Sequence, residues 1–186
     1  MADSPVQYDL KIGDTVVEPT LGICVIEGVK RLMVDGQEEM FYIFESGNAK
    51  VMVPRSQMAK RGIRRPMSRE DIKKVYTLLK QPVSPLRGDA RTQYLNYRDV
   101  LKSGNPQKIA KLLKDLYTLD QCDELKGKEK EIMEQAKKFL VDEITFVRDL
   151  PKTKAQDEIT DSLRQMYKRK VTKEKEKIQA ARKAAV

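Results

Sequence analysis

Histidine is absent from this chain, and with it the side chain most often used as a general acid or base near neutral pH. Tryptophan is absent too, and the two cysteines, Cys24 and Cys122, stand far apart and in no C-x-x-C pair. Without histidine they build neither a zinc site nor a disulfide framework, and both read as buried or idle thiols. No phosphate-cradling G-x-x-x-x-G-K-[ST], no G-x-G-x-x-G and no G-x-S-x-G run occurs. Acidic residues are plentiful, but in stretches such as Lys128-Glu129-Lys130-Glu131 they alternate with lysine, as on a solvated helix face. An enzyme, a cofactor, a metal and a small-molecule substrate are therefore not expected. Nor is there an apolar run of the roughly 18 residues that a membrane helix needs. The opening Met1-Ala2-Asp3-Ser4-Pro5 lacks the basic and apolar regions of a signal peptide, so a cytoplasmic protein without membrane contact is expected.

What is present is charge, unevenly spread. The 186 residues carry a formal charge of +9. Lys and Arg against Asp and Glu number 13 and 11 in residues 1–80, 15 and 15 in 81–162, and 9 and 2 in 163–186. The excess is thus a property of the C-terminal tail. Such a tail suits a polyanion such as nucleic acid through counterion release, or serves as a solubilising, partly helical end.

Residues 12–54 are rich in β-branched and aromatic side chains cut by turn signals. Thr15-Val16-Val17 stops at Pro19, Gly22 to Ile26 follows, and Lys30 to Val34 leads into Asp35-Gly36, a strong hairpin signal. Met40 to Phe44, a turn at Ser46-Gly47-Asn48, and Lys50 to Val53 closed by Pro54 complete a set of about five short antiparallel strands, expected to form a bent sheet or partly open barrel. Its edges either need blunting or receive another chain's strand, and Lys30, Arg31 and Lys50 suit both roles. Ser68-Arg69-Glu70-Asp71 has the form of a capping box, and Ile72, Val75, Tyr76 and Leu79 recur at helical spacing, which predicts one helix closing this first unit at residue 80. Gln81-Pro82-Val83-Ser84-Pro85 reads as an extended connector over 81–87.

From residue 88 the pattern is helical. Ala90, Tyr94, Tyr97 and Leu101 share one face; Ile109, Leu112, Leu113, Leu116 and Leu119 share the next. Ile132, Ala136, Phe139, Leu140 and Val147 form a third stripe, and Ile159, Leu163, Met166 and Tyr167 begin a fourth. Stripes of this width predict a compact bundle of three or four helices over 88–163. Between the first two helices, Gly104 suits the left-handed helix stop, Asn105 the N-cap and Pro106 the first turn of the next helix. Beyond Val171 the stripe dissolves, and residues 164–186 read as an exposed basic tail.

The order of parts and the wording of three motifs resemble the bacterial CarD/CdnL family of transcription regulators. Ile12-Gly13-Asp14-Thr15-Val16-Val17-Glu18-Pro19, with Gly22 and Ile26, is similar to the family's G-D-x-V-V-Y-P-x-x-G-x-x-x-I start, and Val51-Met52-Val53-Pro54 to the strand that closes its sheet. The stretch from Leu101 to Tyr117, LKSGNPQKIAKLLKDLY, resembles its L-x-S-G-D-P-x-x-V-A-x-V-V-R-D-L-Y signature, with Leu125, Glu129, Lys130, Ala136 and Leu140 following in step. The resemblance implies an α+β, two-domain chain: an N-terminal Tudor-like β domain, shared with transcription-repair coupling factor, that docks on the RNA polymerase β subunit by strand addition, and an all-α C-terminal domain that meets promoter double-stranded DNA at the upstream edge of the bubble. Members stabilise the open complex without modifying DNA, which implies a cytoplasmic, nucleoid-associated protein. Carried onto this chain, the polymerase-binding residues are Lys30, Arg31, Leu32, Lys50, Val51, Met52 and Val53. The DNA-binding residues are Arg87, Arg91, Lys126, Lys128 and Lys130.

Two departures accompany the resemblance. Many members place a tryptophan wedge at the start of the first bundle helix, where Ala90 stands here. Tyr94 and Tyr97 are alternative stacking groups, although both lie on the apolar stripe and fit a core role. Met52 stands where some relatives have arginine, which implies a weaker or rearranged polymerase contact. Two other readings stay open at this point: a general nucleic-acid binder acting through the tail, and an adaptor that binds polymerase and no DNA, consistent with the neutral balance of 81–162.

Overall fold

In the computed structural model, residues 10–47, 49–83 and 90–184 are described. Four strands, β1 (Thr15–Glu18), β2 (Gly22–Val34), β3 (Gln37–Ser46) and β4 (Ala49–Pro54), precede five helices: α1 (Arg69–Lys80), α2 (Ala90–Lys102), α3 (Pro106–Asp120), α4 (Gly127–Arg148) and α5 (Lys152–Ala184). The strands form one curled antiparallel sheet in the order β1-β2-β3-β4.

Four strands replace the five expected because the two runs read from Gly22 to Ile26 and from Lys30 to Val34 are one strand. The register of β2 on β3 shifts between Ile26 and Gly28, a β-bulge that bends one continuous strand where two runs were expected. The Asp35-Gly36 hairpin forms as expected: φ is 50° and 80° at the two positions, the paired left-handed geometry that a two-residue turn needs. The inner face of the sheet buries Cys24, Ile26, Tyr42, Phe44 and Val53 against Val16, Met58 and Ile63.

Helix α1 begins at the expected capping box, with the Ser68 hydroxyl accepting from the Asp71 amide at 3.1 Å and the Asp71 carboxylate accepting from the Ser68 amide at 3.2 Å. Its apolar face does not close the sheet. Ile72, Val75 and Leu79 instead join Ile109, Leu113, Leu140, Ile144, Ile159 and Leu163 in the core of the helical unit. An apolar stripe reveals that a helix must be covered, and chain order suggested the wrong cover. Helix α5 runs unbroken from Lys152 to Ala184, longer than the bundle it packs in. Its last buried side chain among the described residues is Met166, and residues 172–176 are exposed.

The α2–α3 junction behaves as its residues dictate. Gly104 has φ +61°, and the Asn105 side chain accepts from the amides of Gln107 and Lys108 at 3.0 and 3.1 Å. The same corner is where the two units meet. A Cβ on Gly104 would lie 2.7 Å from the Gly62 carbonyl oxygen, and one on Gly62 2.7 Å from those of Lys102 and Ser103. Arg64 spans the contact. Its backbone exchanges hydrogen bonds with Val17 at 2.8 and 3.2 Å, so it sits against β1 like a short extra strand. Its guanidinium donates to the Gly104 carbonyl at 2.7 Å and to both oxygens of Glu143 at 2.6 and 2.7 Å, and lies over the Phe139 ring. Glu143, 1% exposed, also accepts from the Met67 amide at 2.7 Å. The carboxylate is thus fully desolvated yet well partnered, the condition under which a buried pair is tolerated.

One carboxylate in the bundle is less well placed. Burial pushes the Asp115 carboxyl up to about 6, against the pull of Lys114 and Lys111. The folded state therefore holds this proton more tightly than the unfolded chain does.

Three substitutions test these features by chemical denaturation. Glu143→Gln weakens the bidentate pair and is expected to cost about 3 kcal/mol, the range for breaking a buried ion pair. Gly104→Ala meets both a left-handed backbone and a carbonyl, and a loss of about 2 kcal/mol is expected. For Asp115 the raised value means stability is fullest below the ordinary carboxylate range and falls as pH rises through about 4 to 6. Asp115→Asn should therefore raise stability at neutral pH by roughly 1 to 2 kcal/mol and flatten that pH window.

Candidate functional site

Sheet order decides which strand edges are open. β1 carries the Arg64 bridge on its outer side, while among the described residues β4 pairs only with β3. Because β1 covers β2 only from Gly22 to Val25, the stretch of β2 from Glu27 to Val34 has β3 on one side and no strand on the other among the described residues. The family-derived polymerase set therefore lies on two open edges, at Lys30 to Leu32 of β2 and Lys50 to Val53 of β4.

Strand alternation divides that set between the faces. The register places Lys30, Leu32, Lys50 and Met52 on the outer face and Arg31, Val51 and Val53 on the inner one. Val53 is fully buried and Val51 half-buried against the core, so β4 offers a partner its backbone at these positions. Arg31 is exposed and faces Glu38 at 4.0 Å. On the outer face Lys50 binds Glu27 at 2.6 Å, and that hydrogen bond pushes the ammonium above its ordinary range.

Sequence reading missed the rest of this outer face. Met52 is 47% exposed, Val25 44% and Leu32 39%, and half-buried Phe41 and Ile43 lie on the same side of the sheet. A signal was present: Met40-Phe41-Tyr42-Ile43-Phe44 is apolar at every position, and a strand without alternation has apolar groups on both faces. The chain covers one of them. A contiguous apolar area beside an open strand edge is the usual mark of a protein-binding surface.

Lys126, Lys128 and Lys130 of the predicted nucleic-acid set, with the first turn of α2 that carries Arg91, lie at the far end of the bundle. Short connections make α2, α3 and α4 run alternately up and down, so the starts of α2 and α4 share one end. Packing agrees: Tyr94 and Tyr97 of α2 meet Leu112 and Leu116 of α3, Leu125, and Ile132 of α4. Lys126, Lys128 and Lys130 are exposed around the start of α4, where the Glu129 side chain accepts the Lys126 amide at 3.0 Å and fixes the first turn. Cations and helix amides converging there favour anions. Arg91 lies on the first turn of α2, and Arg87 falls outside the described residues. Tyr97 is 6% exposed and Tyr94 is half-buried against the same cluster, so both contribute to the core and Tyr97 is not free to stack on a base.

No helix among the described residues is long and apolar enough to cross a membrane. The CarD-like/TRCF RID domain model matches residues 10–67, the sheet and the segment carrying Arg64, and the CarD C-terminal domain model matches residues 74–160, most of the helical unit. YdeB of Bacillus subtilis (strain 168), whose name marks it as a candidate transcription factor, is 23% identical over 142 residues, which covers 75% of this chain and 93% of YdeB. With both domain models matched in order across the open-edged sheet and the bundle, the chain belongs to the CarD family of transcription regulators, RNA-polymerase-interacting proteins.

Proposed function

We propose that this chain binds the polymerase β subunit through its sheet and promoter double-stranded DNA through the far end of its bundle, stabilising the open complex without catalysing a reaction. The observation that carries the reading is the open β4 edge beside an apolar outer face. An edge strand supplies unpaired backbone groups for strand addition, and Leu32, Met52 and Val25 supply area to bury, at roughly 25 cal/mol per Å2 removed from water. Lys30 and Lys50 lie at the margin of that area, where charge sets orientation and association rate.

The bundle contributes electrostatics of another kind. Lys126, Lys128 and Lys130 surround a helix N-terminus, and Arg87 and Arg91 precede or open α2, so the DNA contact falls mainly on phosphates. Phosphate contacts position a protein without reading sequence, which leaves promoter choice to the polymerase. The C-terminal end of the chain adds five lysines and arginines against two glutamates in residues 172–186, a sequence-independent supplement to the same affinity.

Two measurements separate the parts. Lys50→Glu combined with Met52→Glu is expected to weaken binding to the isolated β lobe at least tenfold while leaving DNA affinity unchanged; equal polymerase affinity would remove this edge from the site. Truncation after Val171 spares Met166 and every buried side chain before it, and is expected to weaken binding to all duplexes alike. The log-log salt slope should fall by about 0.9 for each phosphate that the shortened chain no longer neutralises. Open-complex lifetime with purified polymerase tests the whole reading: the intact chain should lengthen it, and the edge variant should not. An intact chain without effect on that lifetime would overturn it.

A further inference from the structure

Between the β1–β2 turn and the helices α2 and α4 lies an open cleft of about 470 Å3. Pro19 to Gly22 form one wall, Leu21, Leu101 and Phe139 supply apolar lining, and three cations, Arg98, Lys102 and Lys138, come from two helices. None of the three has a carboxylate within salt-bridge distance among the described residues. The acid at the cleft, Asp142, is engaged by Lys152 at 2.6 Å. Three unpaired cations drawn together by packing repel one another, and an anion between them relieves that repulsion.

The lining narrows the kind of anion. Phe139 already has the Arg64 guanidinium over one face of its ring at 5.8 Å and is half-buried, so its part in the cleft is mainly apolar lining. The cleft is open and three cations share its lining, which suits the charge of a phosphate. Around the axis of α4, Lys138 lies between Lys128 and Lys130, about 80° from each and about 12 to 15 Å further along the helix. Glu131 and Glu134, exposed on the same side of α4, lie between the α4 start and Lys138, so the cations of the cleft form a cluster separate from Lys126, Lys128 and Lys130.

We propose that this interdomain cleft is an anion site that seats a phosphodiester of bound DNA, with Arg98, Lys102 and Lys138 as its ligands. The inference rests on the DNA-binding reading above and extends it to residues outside the family-derived set. The cations all belong to the bundle, and the β1–β2 turn of the sheet unit forms the facing wall, beside the Arg64–Glu143 pair.

The test uses the full chain and fluorescence anisotropy on promoter and unrelated duplexes between about 50 and 200 mM salt. Arg98→Gln, Lys102→Gln and Lys138→Gln together change exposed side chains only, so folding is expected to be intact. This variant should bind both duplexes several-fold more weakly, with a salt slope lower by at least about 0.9, and the cation-swapped variant Arg98→Lys, Lys102→Arg, Lys138→Arg should restore both. Neutralising Lys126, Lys128 and Lys130 in a parallel protein separates the cleft from the α4 start. A loss there with an unchanged slope in the cleft variant overturns the cleft while leaving DNA binding in place. A wild-type chain with no salt-dependent duplex binding overturns both. Inorganic pyrophosphate that raises the melting temperature of wild type but not of the cleft variant, with duplex slopes equal, would assign the site to a free phosphate ligand and overturn the phosphodiester.

Discussion

The pair between Arg64 and Glu143 is the constraint on which the geometry of this protein depends. Arg64 is a strand residue by its backbone and a helix-unit residue by its side chain: it closes onto Val17 of β1 and reaches Glu143 of α4 and the carbonyl of Gly104. Glu143 answers with a third bond to the Met67 amide, where the chain turns toward α1. Separating the units would strand a carboxylate that is 1% exposed, together with its guanidinium, so opening is opposed by desolvation as well as by the loss of packing. Glycines complete the arrangement, because Gly62 and Gly104 bring two backbones closer than any Cβ allows.

This rigid corner gives the chain two working ends. The open edges and apolar outer face of the sheet lie on one unit. The α4 lysines lie at the bundle end away from the corner, where α2 and α4 both begin. If the chain holds polymerase and DNA at once, as proposed, a fixed vector between the two surfaces favours it, since ordering a flexible joint on binding would subtract from affinity. The segment 81–87 does not have to set that vector. Helix α1, by leaving the sheet and packing between α3 and α5, carries the chain directly from the corner into the bundle core.

Most of this was legible as local chemistry. The Asp35-Gly36 hairpin, the Ser68 capping box and the Gly104-Asn105-Pro106 break were each specified by a few adjacent residues, and each formed as read. What escaped was everything decided between distant segments. The stripe on α1 announced a buried face without naming its partner, and the two runs from Gly22 to Ile26 and Lys30 to Val34 are one strand joined through a bulge at Gly28. Arg64 and Glu143 are 79 positions apart and resemble any other surface charges on paper. The second apolar face of the sheet was written in the unbroken run from Met40 to Phe44, but a run apolar at every position fits a strand buried on both sides equally well. Only the exposure of Val25, Leu32 and Met52 reveals that one side is left uncovered among the described residues.

The missing tryptophan at position 90 bears on where specificity and affinity are carried. A wedge gains its energy from unstacking bases at one place, so its loss cannot be offset by another core residue: Tyr97 is buried and Tyr94 packs beside it. It can be offset by charge, because phosphate contacts add along a path and need no unique geometry. This chain has such charge at three places: the α4 start, the α2 and α4 residues of the interdomain cleft, and the C-terminal end. Under the proposed function, a protein built in this way gives up the discrimination of an inserted ring and keeps the affinity, which places the burden of locating the promoter on the polymerase that its sheet is proposed to hold.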